Sequence, residues 1–286
     1  RDIPVTVLIG SIRDKKRLDE VFETYHPTVV FHAAAHKHVP LMEVSPAEAV
    51  KNNVLGTKNL LTSASEHGVE RFVQLSTDKA VNPTSVMGCT KRICEMLIQT
   101  FAGNTDMKCV AVRFGNVLGS HGSVIPLFEA QIKKGGPVTL TDPNIERYFM
   151  TIPEAAQLVL QAGALAESGS IYVLDMGEPV KIMDLAKQLI RFYGYEPGVN
   201  MEIKIVGLRP GEKLYEELMM DEEQDKMRRT EHNKIFVAPP RQIDLADFYS
   251  QLQALTAAAE HNDEGVVKQL AEMIPTFTPT RSNLKT

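Results

Sequence analysis

The 286 residues are 43% hydrophobic and 23% charged, with 18 glycines and 16 prolines; such a chain is not disordered, collagenous or coiled-coil, and it fits one large or two ordinary globular domains. The 31 basic and 36 acidic residues leave a net charge of −5, so no global basic field favours nucleic acid as a partner. No apolar run approaches the roughly 18 residues of a membrane span, and Cys89, Cys94 and Cys109, without CxxC spacing, indicate neither a disulfide framework nor a zinc site but a reducing compartment, most simply the cytoplasm.

Residues 3–10 (IPVTVLIG) are apolar but too short for a signal-peptide core, and Arg13, Lys15, Lys16 and Arg17 follow them instead of preceding them. Strands are expected at 4–9, 28–33, 70–76, 107–113 and 170–175, with helices at about 15–25, 46–67, 84–102 and 153–167. That alternation predicts an α/β fold with a doubly wound parallel sheet. Pro46 after Ser45, and Pro153 shortly after Thr151, fit first helical turns, and Gly68 and Gly103 fit C-caps. From about residue 176 the pattern loosens, with turns at Gly194, Pro197 and Gly198, and Pro210 and Gly211. The charged run 221–229 reads as a solvated surface. Residues 241–259 and 263–273 read as closing helices before a polar tail. The expected division is a sheet domain over 1–175, with a substrate-loop insertion at about 115–150, and a smaller α/β domain over 176–286. The chain opens on Arg1 and reads as a fragment.

Three small residues, Ala33, Ala34 and Ala35, end the second strand, where open α/β sheets place their ligands; close helix–strand packing would use them equally well. His32, His36 and His38 nearby share no common ligand face, so no metal is expected. STDKA (76–80) sets a hydroxyl, a carboxylate and an amine at the next strand end. On the helix that follows, Met87 and Lys91 lie on one face by i, i+4 spacing. Two amines close together depress the pKa of one, while an Asp78–Lys91 salt bridge pinning helix to strand is the equal alternative. RFGNVLGSHG (113–122) reads as a glycine-rich substrate loop. Arg147 and Arg209, on separate loops, suit two phosphates of a nucleotide diphosphate, because guanidinium forks grip phosphate bidentately.

In this order the motifs resemble the extended short-chain dehydrogenase/reductases, and more narrowly the UDP-N-acetylglucosamine 4,6-dehydratases of the CapD-like polysaccharide-biosynthesis group. The resemblance runs through GSIRD (10–14), HAAAHKHVPLME (32–43), NNVLGT (52–57), STDKAVNP, the MGCTK helix, RFGNVLGS and RPGEKLYEEL (209–218). It implies a Rossmann-like fold, bound NAD or NADP, a UDP-sugar substrate and a homo-oligomer. By resemblance Asp78 and Lys79 are the acid/base pair, Thr77 bonds the sugar C4 oxygen, and Lys91 bonds the nicotinamide ribose. Ser11, Ile12, Ala33, Ala34, Ala35, Lys37, Asn53, Ser76 and Phe114 line the cofactor, and Asn116, Val124, Thr139, Arg147, Arg209 and Glu212 hold the nucleotide sugar. The implied reaction oxidises C4 transiently, removes the C5 proton with Lys79 (its pKa lowered by Lys91 and the oxidised nicotinamide), expels the C6 hydroxyl with help from Asp78, and reduces C6.

Two positions depart from the family pattern. Met87 stands where the family has a tyrosine, as in longer dehydratases that retain C5 configuration and are usually tethered by N-terminal membrane helices; the protein is therefore expected in the cytoplasm or as the cytosolic part of an inner-membrane protein. Ser11 stands where an adenine-contacting Asp would be. The resemblance also makes 4–9 the third strand of a sheet ordered 3-2-1-4-5-6. The first two strands would then be missing, leaving either a gap of roughly 14 Å between 4–9 and 28–33 or a displaced strand 4–9. A nucleotide-sugar 4-epimerase and a non-catalytic nucleotide sensor are the alternatives.

Overall fold

The computed structural model describes residues 3–120, 122–220, 223, 225–239 and 242–279. Helix α1 (Lys15–Tyr25) starts at Asp14, whose carboxylate accepts from the Arg17 N–H, and leads to β1 (Val29–His32). The short helices α2 (Val39–Val44) and α3 (Pro46–Ala49) run into a π-helical segment, Val50–Leu55, and then α4 (Gly56–Glu66), so the helix expected at 46–67 forms with a bulge inside it. Strand β2 (Arg71–Leu75), a 3₁₀ turn (Asp78–Ala80), α5 (Val86–Ala102) and β3 (Lys108–Arg113) complete the next unit. There follow β4 (Asn116–Val117), α6 (Val124–Lys133), β5 (Val138–Leu140), β6 (Glu146–Arg147), β7 (Phe149–Met150), α7 (Ile152–Leu165) and β8 (Ile171–Leu174). The described remainder holds β9 (Val180–Lys181), α8 (Ile182–Phe192), β10 (Ile203–Ile205), β11 (Arg228–Arg229), β12 (Ile235–Ala238), α9 (Leu245–Glu260) and α10 (Val266–Met273).

The main sheet runs β1-β2-β3-β8-β12-β11, its first four strands parallel and β12 and β11 added antiparallel. Its burial follows the strand period of two. Cys109 and Ala111 of β3 join Phe72 in the core under α4, α5, α9 and α10, while Val110 and Val112 join Val73 under α7. Burying each such valine or phenylalanine contributes about 1.5–3 kcal/mol. A third, smaller core lies between α6 and α8, beside the parallel pair β5 and β10.

Two expectations look different in the folded chain. Residues 4–9 form no strand: their backbone joins no ladder, its one described bond being from Arg17 Nε to Ile9 O at 3.3 Å, and Val5, Val7 and Ile9 are at least 80% exposed. Among the described residues strand β1 pairs only with β2, so the segment is displaced from the sheet, the second of the two arrangements expected for it. The segments expected as two domains also interleave. Strand β12 joins the first sheet, α9 and α10 fill its core, and β5 from the inserted region pairs with β10. Among the described residues no helix is long and apolar enough to cross a membrane.

Candidate active site

Parallel strands deliver their carboxyl ends to one edge, and here backbone bonds continue past the ladder to fix the next residues. The Ser76 N–H donates to Val112 O at 2.7 Å and the Asp78 N–H to Phe114 O at 3.1 Å, so STDKA lies alongside the start of the glycine-rich loop. A cleft of about 430 Å³ opens there. Ala33, Ala35 and Lys37 line it beyond β1, Ser76, Thr77 and Lys79 beyond β2, and Met87 and Lys91 from α5. Phe114, Asn116, Val124, Thr139, Arg147, Arg209 and Glu212 complete the wall among the predicted residues.

Five predicted residues do not line it, Asp78 beneath its floor and four others elsewhere. Ser11 and Ala34 are exposed off the cleft, and Ile12 packs against Gly56. Asn53 is buried behind the wall, accepting from the His36 N–H and donating to His36 O and Thr90 Oγ1. His32 is also internal. Its Nε2 lies 2.9 Å from Thr57 Oγ1, and burial, then the Lys91 charge, hold its pKa down at about 3. Among the described residues no cluster of three His, Cys, Asp or Glu is arranged to hold a metal.

Asp78 is fully buried under the cleft floor. Its Oδ1 accepts from Thr77 Oγ1 at 2.8 Å and from Lys79 Nζ at 2.9 Å, while Oδ2 accepts from no described residue. The carboxylate is thus paired with Lys79, not with Lys91 as the salt-bridge alternative had it. Lys79 Nζ also donates to Asn116 Oδ1 at 3.3 Å and lies 3.5 Å from Glu216 Oε1. Burial pushes the Lys79 pKa down, but the Asp78 and Glu216 carboxylates together outweigh it and leave the amine above its ordinary range. The expectation of a lowered Lys79 pKa is corrected accordingly. The depressed amine is Lys91, on which burial acts most strongly, and no hydrogen bond joins its side chain to a described residue.

Gly88 explains how α5 comes so close. A Cβ built there would stand 2.1 Å from the Lys79 carbonyl oxygen, and the Gly88 N–H is taken by the N-cap Ser85 Oγ at 3.1 Å. Gly88→Ala is therefore expected to push the 3₁₀ turn off the helix. It should lower stability by about 1–3 kcal/mol, the usual cost of overpacking, and lower turnover more than substrate affinity; thermal melting with steady-state kinetics checks both.

The two arginines divide in use. The Arg147 fork donates to the carbonyls of Glu146, Lys213 and Leu214 and sits 3.6 Å from Glu212 Oε1, so it braces the loop opposite. Arg209, exposed at the cleft mouth, forms no ion pair with a described residue.

Behind Ser76 lies a buried ion network that sequence reasoning missed. Arg113 grips Glu95 with two bonds, Nε to Oε1 at 2.7 Å and Nη2 to Oε2 at 2.8 Å. Arg92 Nη1 donates to Glu95 Oε2, Ser76 Oγ to Glu95 Oε1, and Arg113 Nη1 to Glu223 Oε2 at 2.8 Å. Glu223 falls in the run expected to be solvated, yet it is 2% exposed; pairing with Arg113 offsets the cost of burying it. Arg92 beside Glu95 at i, i+3 was the only signal the sequence offered.

With this geometry in place, comparison with known proteins identifies the chain. It matches the family model of polysaccharide biosynthesis proteins over residues 2–240 and belongs to that family. It is 61% identical over 213 residues to the capsular polysaccharide biosynthesis protein CapD of Staphylococcus aureus, a match covering 74% of this chain and 35% of that protein. The chain thus spans about a third of the length of that relative. It is 35% identical over 295 residues to a UDP-glucose 4-epimerase of Rickettsia canadensis (strain McKiel), covering 97% of this chain and 82% of the relative. Among solved structures it resembles Pen from Bacillus thuringiensis, with a TM-score of 0.75 and 38% identity over 82% of this chain and 71% of that one. The resemblance to the CapD-like group, read from STDKA, RFGNVLGS and RPGEKLYEEL, holds.

Proposed function

We propose that this chain carries the active site of an NAD(P)-dependent nucleotide-sugar 4,6-dehydratase acting on UDP-N-acetylglucosamine for surface-polysaccharide synthesis. One observation carries the reading: Thr77 and Lys79, both on the cleft, bond the same buried oxygen, Asp78 Oδ1. An epimerase needs only oxidation and re-reduction at C4, with no proton handling at C5 and C6.

The nicotinamide end of the cofactor fits the residues present. The Lys91 side chain faces the cleft without a described hydrogen-bond partner, and Ala33 and Ala35 leave room for a flat ring near Met87 and Phe114. Lys91 would bond the ribose. When bound, the nicotinamide supplies reversible oxidation at sugar C4.

The chain's own residues move the protons. Lys79 passes a proton to Asp78 Oδ1 and, now neutral, takes the proton from C5, which the C4 ketone has acidified. Asp78 returns its proton through the Thr77 hydroxyl to the C6 oxygen, which leaves as water. Lys79 then gives a proton back to C5 as C6 is reduced, and it is recharged by one proton from solvent, the equivalent of the C4 hydroxyl proton released to solvent on oxidation; Lys79 ends charged, Asp78 ends ionised, and the sugar has lost one water. The direct role expected of Asp78 at C6 becomes a relayed one, because its carboxylate is buried, and Thr77, expected at the C4 oxygen, becomes the relay, because its hydroxyl is bonded to Asp78 Oδ1. Met87, 5% exposed, excludes water and accepts no proton. Arg209 takes a phosphate oxygen of the UDP moiety.

Incubation of the cofactor-loaded protein with UDP-N-acetylglucosamine should yield a product lighter by one water, about 18 Da, as elimination at C5 and C6 requires. The 35% identity to a UDP-glucose 4-epimerase supports epimerisation as the second reading, and a new sugar of unchanged mass would select it.

A further inference from the structure

We infer that Glu216 is a positioning residue of this site, a second carboxylate that holds the Lys79 ammonium over Asp78. The inference rests on the acid–base role proposed for Lys79 and concerns a residue to which neither the motifs nor the fold assigned a task.

Glu216 lies in the stretch after Arg209, in the loop that Arg147 braces, and its side chain is only 3% exposed. A carboxylate buried so deeply needs compensating charge. Its Oε1 has two sources, Lys79 Nζ at 3.5 Å and Arg147 Nε at 3.7 Å. Its Oε2 accepts from no described residue, and neither does Asp78 Oδ2. Lys79 therefore sits between two buried carboxylates, each with one oxygen turned to it and one unsatisfied.

The charges facing the pair come from every side of the site. Asp78 shares the 3₁₀ turn with Lys79, Lys91 lines the same cleft from α5, Arg147 stands on β6, and Glu212 lies 3.6 Å from the Arg147 fork. One arginine shared between Glu212 and Glu216 leaves negative charge in excess at Glu216, and Lys79 is the cation that answers it.

Two consequences follow. Glu216 keeps the Lys79 proton on the amine until the substrate arrives, because an opposite charge within 4–6 Å favours the charged form. It also steadies Nζ within reach of both Asp78 Oδ1 and Asn116 Oδ1, fixing which way the amine faces. In the relay above, activity is lost as pH rises through the Lys79 pKa, since a neutral Lys79 has no proton to pass on. Removing the Glu216 charge lowers that pKa, so activity must then be lost at lower pH.

The test compares Glu216→Gln, which keeps shape and removes charge, with Glu216→Asp, which keeps charge and shortens reach. Two readouts are taken on the cofactor-loaded protein: the pH profile of kcat on UDP-N-acetylglucosamine, and, without substrate, the pH dependence of Lys79 acetylation by acetic anhydride, followed by peptide mass spectrometry. In Glu216→Gln the alkaline limb of kcat and the midpoint of Lys79 acetylation should both fall by about one pH unit, the lower end of the effect of a neighbouring opposite charge. KM should stay within a few-fold, and Glu216→Asp should restore most of the lost midpoint. A Lys79 midpoint that does not move in folded Glu216→Gln, judged by its melting curve, overturns the inference. Because acetylation is read without turnover, a midpoint that moves in a protein that does not dehydrate the sugar upholds Glu216 and sinks the proposed reaction instead. If Glu216→Gln does not fold, Glu216→Ala, which removes the charge together with the side chain, takes its place: an unchanged Lys79 midpoint in folded Glu216→Ala counts against the inference.

Discussion

Asp78→Asn and Lys79→Ala should each lower dehydration by about two to four orders of magnitude, the usual weight of general acid–base catalysis, while UDP-sugar binding stays within a few-fold. The reason is the shared oxygen. Asp78 Oδ1 is the only described atom bonded to both cleft-facing groups, Thr77 Oγ1 and Lys79 Nζ. An amide at position 78 still accepts hydrogen bonds but cannot hold a proton in transit. Alanine at position 79 removes the amine that reaches the cleft and leaves Asp78 buried without its cation. Binding should be spared because Arg209, to which the proposed reading gives the UDP phosphate, lines the cleft mouth away from the turn. Single-turnover kinetics with ligand-binding isotherms separate the two effects, and near-normal turnover in either variant would remove the relay.

Glu95→Ala should be the most destabilising single change in the site region, by about 3–5 kcal/mol, the cost of leaving buried partners unpaired. It strips two bonds from Arg113, one from Arg92 and one from Ser76, all in the interior. For a chain of this size that corresponds to a melting point lower by on the order of 10 °C. The same carboxylate dictates an acid limit. Burial opposes its ionisation, but Arg113 and then Arg92 hold its pKa down at about 2, against 4.5 ordinarily. A depressed carboxylate contributes stability above its unfolded pKa and loses it as pH falls through the folded one. Its contribution should therefore be complete above about pH 4.5 and vanish toward pH 2. Melting temperatures of Glu95→Ala and the parent should converge over that interval, and a constant difference between them would deny the network its electrostatic role.

What could be read from the sequence was whatever lies close along the chain. KCVAVR (108–113) alternates its faces, and β3 does bury Cys109 and Val110 on opposite sides of the sheet. STDKA stands at a strand end because parallel strands present their ends together, and Met87 and Lys91 share a face because the helical period puts them there. The same alternation misled at 4–9, where the pattern reports a segment able to bury its side chains and says nothing of whether a neighbour exists to pair with. The charges at the site were harder still. Glu223 reaches Arg113 across 110 residues of chain and Glu216 reaches Lys79 from the far side of the cleft. Inside DEEQDKMRR a glutamate bound for the interior looks no different from the exposed Asp225 and Lys226 that follow it. Lys79 shows the limit most plainly. Its neighbours in sequence gave no hint of Glu216, so the direction of its pKa shift was legible only once the fold had brought the second carboxylate to it.

The relay makes one isotopic demand that an epimerase does not. The C5 proton passes to Lys79, whose amine exchanges with solvent, and the position is later reprotonated from the same pool; re-reduction at C4 alone draws nothing from solvent. The product formed from UDP-N-acetylglucosamine in D₂O by the cofactor-loaded protein should therefore have lost one water and gained one deuterium at C5, resolved by mass spectrometry and proton NMR. A product of unchanged mass without deuterium at C5 would contradict the account.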